Sequence, residues 1–141
     1  MTTNALTHTA HKIYILSMEK TQLDIFKQTL EAERGRLVAE LSSIAKPDPN
    51  IKGNWVADYP HMETDESGSH VSRDVEEDEV EQYEVNLEAE HSLESRLLAV
   101  TRALHRIETN SYGACAQCGK DIPIERLTAN PAAECDIEHQ R

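Results

Sequence analysis

From about Lys20 to Ala45 the apolar residues recur with a helical period. Leu23, Leu30, Leu37 and Ile44 stand seven apart, and Phe26, Leu41 and the stem of Arg34 widen the stripe. Charged residues fill the other faces. Gly35 costs such a helix about 1 kcal/mol without breaking it, and Pro47 and Pro49 close it. A second pattern, with steps of three, four and occasionally six or seven, joins Val80, Tyr83, Leu87, Leu93, Leu97, Val100, Leu104 and Ile107. It predicts a helix from near Ser72 to Thr109. Glu76 and Glu77 fall in or beside its first turn, where negative charge is favourable. Each helix has one apolar stripe, so the two are predicted to pair antiparallel as a long coiled-coil hairpin.

Residues 46–72, between the helices, read as an irregular connecting segment punctuated by Pro47, Pro49, Gly53, Pro60 and Gly68. Trp55, Val56 and Tyr59 form a small apolar cluster there, suited to packing on a helix end or to an exposed contact. Residues 1–19 read as a flexible polar arm, rich in Thr and His. His8 and His11 could share a helical face and bind metal, but a polar arm is the simpler reading. The organisation is thus an arm (1–19), a helical hairpin (20–110) with acidic connecting segment 46–72, and a small C-terminal module (111–141).

Composition sharpens this picture. Aromatics are scarce, and five glycines in 141 residues argue against a β-rich fold with many tight turns. The net charge of -12 comes from one stretch: Asp58–Glu90 holds thirteen acidic residues against one arginine, and the remainder balances. Such a stretch repels a nucleic-acid backbone and attracts a basic surface or a cation. Ile13–Leu16 is too short for the core of a signal peptide, and no run approaches a membrane span. A cytoplasmic location is the default reading, and it suits reduced thiols.

The chemistry sits at the C-terminal end. Cys115-Ala-Gln-Cys118 places two thiols on a tight knuckle, with Gly119 directly after, and Cys135 and His139 follow. Three thiols and an imidazole suit one tetrahedral zinc ion. Between them Ile122, Ile124 and Leu127 are nearly the whole apolar complement, so the metal would supply folding energy. The fallback fourth donor is water or His105, and Asp136 and Glu138 read as surface carboxylates. Two other readings of the knuckle are weaker. A redox dithiol lacks the alternating strands and helices that usually surround it, and a catalytic zinc needs an open position.

The stretch Arg106-Ile107-Glu108, Tyr112-Gly113-Ala114-Cys115-Ala116-Gln117-Cys118-Gly119, Ile122-Pro123, Arg126-Leu127, Ala129 and Pro131 resembles the DksA/TraR family of bacterial proteins. The match is close over roughly 104–141, and the upstream hairpin matches in architecture. The resemblance implies a non-enzymatic transcription regulator that binds RNA polymerase, not promoter DNA. It further implies a coiled coil entering the secondary channel, an acidic tip near the catalytic region and an effect on initiation. The chain departs from the family in two places. His139 stands where a fourth cysteine is usual, with Cys135 one residue early. The Asp-x-x-Asp-x-Ala tip is absent, which leaves Asp65, Glu66, Asp74, Glu77 and Asp78 as tip candidates. Arg126 is a candidate partner contact, or it pairs with a carboxylate of its own module. The chain is expected to be a monomer without sequence-specific DNA binding. The alternative is a zinc-stabilised hairpin adaptor or homodimerisation module.

Overall fold

The computed structural model describes residues 20–58 and 73–139, side chains of 73–77 excepted. The arm 1–19, Tyr59, Asp65 and Glu66 lie outside the described residues, as do the side chains of Asp74 and Glu77. The architecture is mainly helical: a hairpin of two long helices followed by a small module with metal-binding side chains. Helix α1 is Lys20–Ile44, followed by β1 (Ala45–Pro47) and β2 (Trp55–Ala57). Helix α2 is Arg73–Glu108, followed by the short α3 (Ile124–Ala129) and a 3-10 turn at Ile137–His139. Among the described residues no helix is long and apolar enough to cross a membrane.

The chain forms two compact units: residues up to Arg36 together with Leu97–Arg141, and Leu37–Arg96. In the first, Phe26 and Leu30 of α1 and Val100, Ala103 and Leu104 of α2 are buried. Phe26, Leu30, Val100 and Leu104 fall on the stripes that the periodicity marks, and Ala103 is buried in addition to them. The C-terminal module adds Tyr112, Cys115, Ile122, Leu127, Ala132 and Ala133. Ile124, counted with Ile122 and Leu127 in the sequence, is only half-buried. Arg34, whose stem the sequence adds to the stripe, is exposed as a whole residue, and the neighbouring Glu33 is half-buried.

In the second unit, Leu37, Leu41 and Ala45 are buried. Contrary to the irregular reading of 46–72, β1 and β2 pair antiparallel, with Ala45 opposite Ala57 and Pro47 opposite Trp55. Their loop is closed by Asp48. Its carboxylate accepts from the Asn50 amide (2.8 Å) and the Asn54 side chain (3.0 Å), while its own amide donates to Asn54 O (2.8 Å). Such an Asx closure substitutes for a regular turn. Trp55 is half-buried and Val56 exposed, as alternating positions of a ribbon require. The Trp55 amide donates to Glu94 Oε1 of α2 at 3.3 Å. Val80 is exposed, although the stripe includes it.

Candidate metal centre

The site is built where α2 stops. Asn110 takes a left-handed conformation (φ 56°). The Ser111 amide returns to Arg106 O (2.8 Å) and the Asn110 amide to Ile107 O (3.2 Å). This is a Schellman closure, which satisfies two of the last helix carbonyls. The Arg106 guanidinium then clamps the exit, donating to Ser111 O (3.1 Å), to Ala114 O and to Glu134 O (3.5 Å). One side chain thereby ties the helix end to the knuckle and to the segment before Cys135. Tyr112 adds a second tie: its ring lies tilted against Phe26 at 6.0 Å, and its hydroxyl donates to Pro131 O at 2.7 Å.

Residues 113–122 fold back on themselves. Ala114 bridges Asp121, the Cys115 amide donates to Lys120 O (2.8 Å), and the Gly119 amide donates to Cys115 O (2.9 Å). Gly119 (φ 71°) supplies the left-handed residue of that turn, which a side chain would strain. The Ala116 amide donates to Glu134 O at 2.8 Å. The second half of the site is thus laid against the first. Arg126 Nε donates to Cys135 O at 2.7 Å, so the residue read as a partner contact or carboxylate partner holds a backbone carbonyl of its own module.

The donor atoms of Cys115, Cys118, Asp136 and His139 all lie within 4.8 Å of one another. Cys115 is buried and Cys118 exposed. Cys115 Sγ is 3.9 Å from His139 Nδ1, and that nitrogen is 2.7 Å from Asp136 Oδ1. The Asp136 carboxylate also accepts the His139 amide at 3.1 Å. Asp136 is therefore not the plain surface carboxylate that the sequence suggests. Cys135 stands outside this foursome, yet its thiol shares a hydrogen bond with Cys115. Glu138 is exposed. His105, the fallback donor, is not in the cluster; it lines an open cleft of about 580 Å³ with Thr101, Arg102, Arg106, Ala116 and Glu134.

The electrostatics favour charged donors. Burial pushes the Cys115 thiol up, but the amides of Cys118, Gln117 and Asp136, with the Cys118 thiol, outweigh it and bring the value down to about 6. Burial holds Cys135 up, and Cys115 adds to the rise. The hydrogen bond that its ring donates to the Asp136 carboxylate holds His139 above its usual value against the opposing effect of burial. The two neighbouring thiols are thus driven in opposite directions. A dication removes that conflict, because thiolates and a neutral imidazole are the forms a metal binds. The donor set fits a borderline-soft divalent ion, zinc foremost.

No family model matches the chain. It is 30% identical over 127 residues to the RNA polymerase-binding transcription factor DksA of Caulobacter vibrioides, covering 87% of this chain and 76% of that protein. It is 29% identical over 121 residues to the protein of the same name from Salmonella typhimurium, covering 86% and 70%. Among solved structures, the transcription factor DksA2 from Pseudomonas aeruginosa superposes with a TM-score of 0.58 at 24% identity, covering 86% of this chain and 81% of that one, a likeness of fold. Knuckle, clamped helix exit and near full-length similarity agree: the chain belongs to the DksA/TraR family of non-catalytic transcription regulators.

Proposed function

We propose that this protein binds bacterial RNA polymerase through its secondary channel and modulates initiation. The observation that carries the reading is the 30% identity, across 87% of the chain, to a protein named for binding RNA polymerase. In this reading residues 1–19 are an arm, 20–110 the hairpin with its acidic connection 46–72, and 111–141 the zinc module. Asp65, Glu66, Asp74, Glu77 and Asp78 supply the acidic tip near the catalytic region; Asp78 is exposed on α2. Carboxylates there would compete for, or water-bridge to, an active-site magnesium, or repel the nucleic-acid backbone. Arg126 contributes a partner contact from the module. The protein acts in the cytoplasm as a monomer without reading a DNA sequence.

One structural zinc ion completes the module, held by Cys115, Cys118, Cys135 and His139, with Asp136 orienting the imidazole. A carboxylate bound to the ligand histidine is the usual second partner of such a site. The ion supplies folding energy and takes no part in a reaction.

Retention of the full chain on immobilised bacterial RNA polymerase tests the function. Retention that disappears when the acidic segment 60–72 is shortened supports it. Failure to bind, together with a solution mass of twice the monomer, would replace it by the adaptor or homodimerisation reading.

A further inference from the structure

A second group of metal-ligating side chains lies far along the sequence from the cysteines. Glu90, His91 and Glu94 of α2 place one donor atom each within 4.8 Å of the others. Glu90 and Glu94 are one helical turn apart (i, i+4) and His91 and Glu94 are i, i+3, the spacings that bring side chains together on a helix. Glu90 is the one buried charged residue among the described residues, at 2% exposure. Its carboxyl shares a hydrogen bond with Glu94 and lies 3.9 Å from the His91 imidazole, both of them members of the trio. Among the described residues it has no lysine, arginine or backbone amide to balance its charge.

A carboxylate so enclosed, with a second carboxylate against it, requires a positive charge or a proton. Glu94 is itself fixed from outside by the Trp55 amide. That is the kind of support that holds a ligand carboxylate in place. We propose that Glu90, His91 and Glu94 form a second cation site for a first-row divalent metal, with two carboxylates and one imidazole from the protein and water in the remaining positions. The absence of a thiol separates its preference from that of the cysteine centre: oxygen and imidazole donors suit manganese, iron(II), cobalt or zinc.

The test uses the full chain loaded with one equivalent of zinc, which the thiols take first, and then titrated with Mn2+. Paramagnetic broadening should begin at the amides of residues 90–94 and at Trp55, the only tryptophan, and should saturate. His91→Ala should weaken binding at least tenfold. Because His91 is exposed, with 70% of its side chain accessible, that variant keeps its fold. Glu90→Gln, which keeps the shape and removes the charge, should weaken it as much, and Cys118→Ser should leave it unchanged. Broadening that spreads evenly over the acidic stretch 74–88, or an affinity unaltered by His91→Ala, would overturn the site. So would selective broadening that persists at full strength in Glu90→Gln.

Discussion

At the residue scale, the cysteine centre turns on which side chain completes it. Cys135 shares a hydrogen bond with Cys115, whereas Asp136 sits within reach of all three other donors and grips His139. If Cys135 is the ligand and Asp136 its neighbour's support, Cys135→Ser should lower zinc affinity by about 100-fold or more. Asp136→Asn should lower it only about tenfold, the low end of what second-layer partners contribute. Chelator competition measures both, and the reverse order would make Asp136 the ligand. Arg106 is a separate matter. Arg106→Met deprives the Ser111, Ala114 and Glu134 carbonyls of one donor. It should cost the module about 1.5–3 kcal/mol, the range for charged hydrogen bonds, seen as faster amide exchange over 111–135. The cysteines were legible because two thiols at a short spacing on an oil-poor tail have few other uses. Asp136 and Arg106 were not, because their roles exist only once the chain has folded back. A lone carboxylate beside a cysteine, or one arginine in a family motif, carries no spacing signal of its own.

At the element scale, the stripes locate both helices, since burial at Leu30, Leu37, Leu41, Val100 and Leu104 follows the period. The period overreaches at Val80 because it marks which face a residue occupies, not whether anything covers that face. The ribbon at 45–57 has no such signal. Three-residue strands are too short to show alternation, and the prolines at 47 and 49 read as breakers. Gly35 lies within α1 with open space where a methyl group would go. Gly35→Ala should therefore stabilise the protein by about 1 kcal/mol, visible as a higher urea midpoint. The ribbon loop should respond to acid through Asp48. The Asn54 side chain and then the Asn50 amide, against the opposing effect of burial, hold its carboxylate below the usual value. A group lowered in this way stabilises the fold above its unfolded value and loses that contribution as pH falls through the lowered one. Protection of the Asn50 amide, its exchange measured against the free-chain rate at the same pH, should be high at pH 6 and fall away below about pH 4. In Asp48→Ala it should be low at both, and equal protection in the two proteins at pH 6 would refute the role.

For the whole molecule, the sequence separates a helical part that holds itself by repeating stripes from a tail that cannot. The tail's fully buried aliphatics are Ile122 and Leu127, helped by Tyr112 against Phe26. Its other order comes from backbone bonds around the knuckle and from the Arg106 and Arg126 clamps onto carbonyls. These ties hold a conformation already formed and give little drive toward it, because an unfolded chain satisfies the same groups with water. Metal binding, worth about 10 kcal/mol in comparable small sites, would give that drive. The two compact units each carry a reporter: Tyr112 and the tail amides for one, Trp55 for the other. Stripping zinc with a chelator should therefore collapse the dispersed amide signals of 111–139 while most helical circular dichroism and the Trp55 emission persist. Cys118→Ser should reproduce that pattern without chelator, and restoring zinc should reverse it in the native chain only. A tail that kept its dispersed signals without metal would mean that the arginine clamps and the small apolar core suffice. The cysteines would then be read as donors to an ion the fold does not need.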